Sequence, residues 1–114
     1  MNREKEVRWI DTSLDDIKAF PREAMIEAGY QLNLIQHGLD PENFKWFKAV
    51  GAGVKEIRIK QPDSIFRVMY VAKFDEAVYV LHCFQKKDEQ TLKKDVDLAK
   101  KRYDGLMNQR IKNG

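Results

Sequence analysis

The stretch VKEIRIKQPDSIFRVMYVAKFDEAVYVLHCFQ, residues 54–85, decides the fold because three strand-like segments follow one another closely within it. The segments are Val54–Lys60, Ile65–Phe74 and Ala77–Gln85, and connections of only four and two residues join them. Parallel strands need a crossover connection of about a dozen residues or more. The short connections therefore predict an antiparallel meander.

A short strand and two helices are predicted upstream of this meander. Val7–Ile10 has the alternation of a strand. Ser13 suits a helix N-cap, with Asp16 three positions later as in a capping box, and Pro21 ends this helix. Pro21 also suits the first position of a second helix, which runs to about His37 before a glycine stop. The pattern predicts two antiparallel helices, a helical hairpin.

Apolar residues at helical spacing predict which helix faces pack on the core. In the second helix they are Met25, Ala28, Leu32 and Ile35. A last helix begins at about Thr91, and its apolar stripe is Leu92, Val96, Ala99, Tyr103 and Leu106. The expected fold is one α+β domain over residues 1–114, an antiparallel sheet with an N-terminal helical hairpin and a C-terminal helix.

Composition excludes several classes of protein. The chain has 114 residues, 43% hydrophobic and 34% charged, which is typical of one soluble globular domain. A transmembrane helix needs roughly 18 consecutive apolar residues, whereas the longest apolar run here is Ala77 to Leu81. The first residues lack the apolar core of a signal peptide. The single cysteine, Cys83, forms no internal disulfide, which favours a reducing cytoplasm.

Charge is distributed unevenly along the chain. Residues 1–44 contain 5 Lys and Arg against 9 Asp and Glu, whereas residues 45–114 contain 16 against 9. One reading of this asymmetry is a positive face that attracts phosphates or an acidic partner. The other is a solvated basic face without a ligand, and charge alone does not separate the two.

Strand alternation places one charged residue among apolar neighbours. Glu56, Arg58 and Lys60 share one face of the first meander strand. In the second strand, Arg67 shares its face with apolar side chains, which is costly unless the charge is paired or used. Either Arg67 forms a salt bridge with Glu56 or an aspartate that fixes the register, or a rigid sheet holds Arg67 to grip a phosphate.

The third strand carries the remaining candidates for chemistry. His82 shares a face with Val80 and Phe84 by simple alternation, which predicts a core histidine. Cys83 is expected to be buried mid-strand and therefore not a nucleophile. Neither a phosphate-binding glycine motif nor a Cys/His spacing typical of zinc is present. We expect no metal or cofactor, so that phosphate chemistry would rest on Arg and Lys.

The order of strand, two helices, three-stranded meander and helix, with basic residues on the meander, resembles the RelE/HigB-like toxins of type II toxin–antitoxin systems. In particular it is similar to their phage-derived HigB-like branch. The resemblance extends from about Val7 to Tyr103, and the segments that carry it are Phe20-Pro21 and residues 51–59, 66–71, 79–87 and 97–102.

The resemblance implies a microbial-RNase-like fold and ribosome-dependent cleavage of mRNA. The implied chemistry is attack of an RNA 2′-hydroxyl on the adjacent phosphate without a metal. The implied partners are a cognate antitoxin of the helix-turn-helix type, the ribosome and mRNA, with operator DNA bound only through the antitoxin complex. An alternative function is a non-catalytic module of the same fold that binds RNA, DNA or protein.

The resemblance also implies roles for individual residues. Arg58 and Arg67 match basic strand positions that contact the phosphate and its transition state. Glu56 matches an acidic position that either orients an arginine, which is the favoured role, or acts as an acid or base. Lys86 and Lys87 match the basic site after the last strand, where they hold the scissile region or protonate the leaving group. Further lysines expected to bind RNA are Lys48, Lys55, Lys60, Lys93 and Lys94.

The general base stays unassigned at this point. Some relatives place a tyrosine or histidine near the active site, whereas the last helix here starts with Thr91-Leu92-Lys93. His82 would serve as an acid or base only if its ring reaches the basic face, and the alternation argues against that.

Overall fold

The computed structural model describes residues 4–86 and 91–113 and contains five strands and three helices within them. The elements in chain order are β1 (Glu6–Trp9), α1 (Ser13–Lys18), α2 (Arg22–Gln36), β2 (Phe44–Trp46), β3 (Val54–Gln61), β4 (Ser64–Val71), β5 (Ala77–Lys86) and α3 (Lys93–Asn113). This order confirms the predicted α+β class, with a helical pair before the meander and a helix after it.

The strands form one sheet in the order β1-β5-β4-β3-β2. Pairing is antiparallel from β3 to β5, as the short connections predict. Strand β2 adds antiparallel to β3, and β1 lies parallel to β5. The parallel pairing is possible because most of the chain separates these two strands. It was not part of the sequence prediction, which gave β1 no partner. Strands β1 and β2 are the two edges of the sheet.

Helices cover the sheet on both sides. On one side, which we call the hairpin face, α1 and α2 bury residues such as Ile17, Ala28 and Leu32 against the sheet. On the other side, the α3 face, Ala99 and Tyr103 are among the residues of α3 that pack on the sheet. Arranging the apolar residues in two layers removes both faces of β4 and β5 from water, which explains their nearly continuous burial. Within residues 4–86 and 91–113, no helix has the length and apolarity that crossing a lipid bilayer requires.

The start of α1 differs from the prediction. Ser13 is the first helical residue rather than the N-cap, and its hydroxyl donates to the carbonyl of Val80, 3.0 Å away. Thr12 occupies the N-cap position, and its hydroxyl donates to the Asp16 carboxylate. Ser13 is fully buried, so its hydroxyl needs an acceptor in the sheet.

The exposure of some helix residues and the ends of some elements also differ from the prediction. In α2, Ala28, Leu32 and Ile35 are buried as predicted, whereas Met25 is exposed and Ala24 faces the core instead. Pro21 precedes this helix as its N-cap, and Gly38 follows it with a φ of +83°, the predicted left-handed stop. Helix α3 begins two residues after Thr91, and Leu92 is exposed. Strand β4 ends at Val71, three residues before the predicted Phe74.

A bulge in β5 changes which residues face α3. Met69 pairs with His82 and Tyr70 with Val80, so that Leu81 is an extra residue on β5. Beyond this point the alternation is inverted, and Cys83 packs on the hairpin face. The prediction that His82 and Val80 share a face is therefore wrong. A one-residue insertion moves every later side chain to the opposite face.

The loop before β3 packs closely against α3, which generates a test of the fold. A Cβ atom at Gly51 would overlap the Tyr103 ring, whose hydroxyl donates to the carbonyl of Ala52. We expect Gly51→Ala to lower the free energy of unfolding by about 1–3 kcal/mol, the usual cost of overpacking. Gly105→Ala is the control, since a Cβ there meets no atom within 4 Å and alanine favours a helix by about 1 kcal/mol.

Thermal denaturation measures the stability of both variants. A Gly51→Ala protein as stable as the wild type would contradict the packing of this loop against α3.

Candidate nucleic-acid interface

Polar and basic side chains lie on the α3 face at one end of the sheet. This end extends past the N-terminus of α3. The strand register aligns Lys45 of β2 with Glu56 of β3, and Arg58 of β3 with Arg67 of β4. Lys60 of β3 and Lys86 of β5 are both paired with Ile65 on the strand between them. Four strands therefore contribute to one charged area.

Glu56 is the centre of a hydrogen-bonded network in this area. Its Oε1 lies 2.9 Å from Arg58 Nε and 2.9 Å from Arg67 Nη1. The Thr91 hydroxyl donates to Glu56 Oε2 and accepts a hydrogen bond from Arg67 Nη1, at 2.9 and 2.7 Å. We call Glu56, Arg58, Arg67 and Thr91 the Glu56 network. It joins two strands to the residues that lead into α3.

Burial differs between the members of the Glu56 network, and this separates their roles. The side chains of Glu56 and Arg67 are completely buried, whereas 14% of the Arg58 side chain is exposed. An ionised carboxylate is stable at such depth only with charged and hydrogen-bonding partners, which the two guanidinium groups and Thr91 provide. The structural alternative for Arg67, a salt bridge with Glu56, is therefore confirmed. Of the two arginines, Arg58 is the one whose side chain reaches the surface.

His82 lies on the α3 face beside this network. Its Nε2 is 2.9 Å from Asp95 Oδ1 in the first turn of α3, and its ring stacks on Phe84 at a centroid distance of 4.6 Å. Phe84 is in turn the register partner of Arg67. The predicted burial of His82 is confirmed, and its Nδ1 has no hydrogen-bond partner within the described ranges. The His82–Asp95 pair fastens the start of α3 to the sheet.

The predicted RNA-binding lysines do not form one group. Lys60 is exposed on the same face as Arg58, whereas Lys55 lies on the hairpin face and forms an ion pair with Asp40. Lys48 is exposed in the turn after β2.

The described lysines near the start of α3 differ in exposure. Lys93 and Lys94 are exposed in its first turn, and the Asp97 carboxylate raises the pKa of Lys93 by accepting its hydrogen bond. Lys86 is partly buried at the end of β5, and Lys87 lies outside the described residues.

Two members of this area escaped the sequence analysis. Lys45 was missed because the segment around it is ambiguous in sequence, and only the pairing of β2 with β3 brings it beside Glu56. The sequence places Thr91 at about the start of the last helix, where some relatives have an acid or base, and gives it no role in the site. Threonine is common just before a helix because it caps the helix N-terminus. Its presence there therefore does not predict a contact with a buried ion pair.

Among the described residues, neither a reactive thiol nor a metal centre lies near the network. Cys83 is buried on the hairpin face, and burial raises the pKa of its thiol well above the ordinary range, which disfavours the reactive thiolate. Within residues 4–86 and 91–113, no group of three or more His, Cys, Asp or Glu side chains is arranged to hold a metal ion. The chemistry that these residues offer is cationic: binding of an anion by guanidinium and ammonium groups.

The fold and this site define a small α+β protein with a basic area on one end of its sheet. The family model described as "Phage derived protein Gp49-like (DUF891)" matches residues 15–104, so the chain belongs to the phage-derived Gp49-like family. The membership supports the phage-derived, toxin-like part of the resemblance, but not the RelE/HigB branch specifically. No curated protein and no solved structure matches the chain.

The buried ion pair between β3 and β4 makes a quantitative prediction. Arg67→Met removes one of the two cations that compensate the buried Glu56 carboxylate, and we expect it to cost about 3 kcal/mol of unfolding free energy. Combining it with Glu56→Gln should cost less than the sum of the two single changes, by about 1–3 kcal/mol. Denaturant unfolding of the four proteins gives this coupling.

Lys93→Met is the matched control, because 87% of the Lys93 side chain is exposed in its pair with Asp97 and such pairs contribute about 0.5 kcal/mol or less. Strictly additive costs for Arg67→Met and Glu56→Gln would contradict the coupled ion pair.

Proposed function

We propose that this protein is the toxin of a type II toxin–antitoxin system and a ribosome-dependent mRNA endoribonuclease. The observation that carries the proposal is the Glu56 network, in which a buried carboxylate holds two arginines and one of them reaches the surface. Family membership supports the toxin-like class. The nuclease activity is inferred from the chemistry that such an arrangement suits.

The proposed reaction is an internal transfer of the phosphate ester. The RNA 2′-hydroxyl loses its proton and attacks the adjacent phosphorus, and the bond to the 5′-oxygen breaks as that oxygen takes up a proton. The products are a 2′,3′-cyclic phosphate and a 5′-hydroxyl end. Negative charge grows on the phosphate oxygens in the transition state, and preorganised cations stabilise it more than they stabilise the substrate.

Each residue has a distinct role in this proposal. Arg58 contacts the phosphate, since its guanidinium is the exposed one, and Glu56 fixes its orientation through Nε. Arg67 is a positioning residue that acts through Glu56, because its buried side chain does not reach an RNA strand in this arrangement. Lys45, Lys60, Lys86 at the end of β5 and the next residue, Lys87, attract the neighbouring phosphates.

The proton transfers are assigned only in part. Lys86 or Lys87 donates to the leaving oxygen in this proposal. His82 is too deeply buried to contact RNA directly and positions the start of α3 through Asp95. Ribosomal groups supply the remaining proton acceptor, which would make cleavage depend on the ribosome.

The same proposal includes a partner that controls the site. An antitoxin of the helix-turn-helix type, with acidic residues for the area around Arg58, would block access of RNA and bind operator DNA as part of the complex. Toxin, mRNA and ribosome would meet in the cytoplasm.

A second function is a binding module that holds RNA, DNA or protein without cleavage. The burial of both Arg67 and His82 favours it, because a buried arginine and a buried histidine are compatible with a purely structural role. The two functions differ in one observable, the appearance of new ends in a translated message.

Arg58→Ala tests the proposed activity because it removes the proposed phosphate contact while Arg67 and Thr91 still bind Glu56. We expect induced wild-type protein to arrest bacterial growth and create new 5′ ends inside translated regions, and Arg58→Ala to abolish both effects. The reason is that the surface-reaching guanidinium is removed. Primer extension on a reporter mRNA is the measurement, and circular dichroism confirms that the variant is folded.

Lys18→Ala is the matched control, since Lys18 is an exposed basic residue at the end of α1, which packs on the opposite face of the sheet. It should arrest growth like the wild type. Normal growth and intact mRNA with soluble wild-type protein would favour the binding module.

A further inference from the structure

A second basic area lies on the hairpin face, at the edge formed by β2. It is a pocket of about 280 Å³, and the residues that matter for its chemistry are Leu39, Trp46, Lys55, Tyr70 and Lys73. We call it the Trp46 pocket. It lies on the opposite side of the sheet from the Glu56 network and contains no member of that network.

Trp46 gives this pocket an open aromatic surface. Its side chain is 55% exposed, and the neighbouring Leu39 is 58% exposed, although both are large apolar residues. The Lys55 ammonium lies over one face of the Trp46 ring, and the rest of the exposed apolar area beside the cavity is of the kind that marks binding sites. A planar ring is the shape that fits against an indole.

A lysine ammonium lies over the aromatic surface. Lys55 Nζ lies 4.4 Å from the centre of the Trp46 ring and 4.9 Å from that of Phe44, and it forms an ion pair with Asp40 at 2.7 Å. Lys5 and Lys73 also line the pocket, but their ammonium groups donate to backbone carbonyls and to the Tyr103 hydroxyl, so Lys55 is the lysine that lies against the ring. A ligand with a flat ring and a negative charge, such as a nucleotide, matches this combination of groups.

The strand register relates the Trp46 pocket to the Glu56 network. Trp46 pairs with Lys55, and the preceding residue Lys45 pairs with Glu56. Arg58 is therefore three residues from the partner of Trp46, a separation of roughly 10 Å along β3. Because β2 is the last strand of the sheet, a nucleic-acid strand can pass over its open edge from one face to the other.

We propose that the Trp46 pocket binds a base of single-stranded RNA, stacked on Trp46, a few nucleotides from the phosphate that Arg58 contacts. Lys55 binds a phosphate next to this base. The inference rests on the proposed function, which it extends by a subsite outside the reacting area. Stacking depends little on base identity, so the subsite adds affinity and places the strand rather than reading its sequence.

Tyr70 adds a polar group to the pocket. Burial, together with the nearby Asp40 carboxylate, raises the pKa of the Tyr70 phenol far above neutrality. The phenol therefore keeps its proton and stays uncharged beside the bound base. An acidic peptide would also satisfy the lysines, but the open indole face suits a base better than an aliphatic side chain.

The first test uses the fluorescence of Trp46. The chain contains two tryptophans, so Trp9→Phe leaves Trp46 as the single reporter. Addition of a short single-stranded RNA of mixed sequence should quench this fluorescence, because a stacked base contacts the indole. The apparent affinity should fall as salt rises. An acidic peptide that quenches the signal where RNA does not would overturn the proposal in favour of a protein ligand.

The second test uses labelled RNA and the otherwise unchanged chain. Trp46→Ala should weaken RNA binding by about 5- to 150-fold, the range that corresponds to the loss of one stacked base. Trp46→Phe should bind close to the wild type, because it keeps an aromatic face. Tyr30→Ala is the matched control: Tyr30 is an aromatic residue of α2 that is 52% exposed, and its removal should change nothing.

The outcomes separate this inference from the proposed function. If Arg58→Ala weakens RNA binding and Trp46→Ala does not, the subsite is wrong and the phosphate site stands. If Trp46→Ala weakens binding while wild-type protein cleaves no message, the pocket belongs to a binding module instead of a nuclease. Failure of the wild type to bind the RNA at all would overturn the subsite.

Discussion

The buried carboxylate of Glu56 is the constraint on which the functional end of this protein depends. A charge with no contact to solvent is tolerated only where cations and hydrogen-bond donors surround it. Arg67 and Arg58 meet this requirement from two adjacent strands, and Thr91 meets it from the chain leading into α3. The same contacts therefore fix the register of β3 and β4 and hold the start of α3 in place. They also orient Arg58, the arginine of the network that reaches the surface.

Much of this arrangement follows from short-range rules. The meander follows from connection length, and the pairing of Arg67 with Glu56 was one of two readings of a charged residue in an apolar strand face. Simple alternation failed at His82, because the bulge at Leu81 leaves no clear mark in a strand without glycine or proline. Lys45 and Trp46 acquire their meaning only from the pairing of a three-residue edge strand, which tertiary contacts decide.

The Glu56 network and the Trp46 pocket lie on one sheet, and the first is rigid whereas the second is open. Glu56, Arg58 and Arg67 are held by ion pairs at 2.9 Å on β3 and β4, most of whose other side chains are buried, so their geometry is preorganised. The Trp46 pocket lies beside the edge strand β2, where an exposed ring would accept a base without rearrangement of the core. His82 and Asp95 connect the two layers by holding α3 against the sheet. A strand of RNA would then be gripped at two points across β2.

Cleavage of a defined message in a reconstituted translation system tests the central claim most directly. The account predicts that wild-type protein produces 2′,3′-cyclic phosphate ends on translated mRNA only with ribosomes present. Glu56→Gln keeps both arginines but loses the charge that orients them, and a misplacement of about 1 Å is enough to slow such a reaction about 100-fold. An intact message with wild-type protein, or equal cleavage by a folded Glu56→Gln variant, would contradict the account.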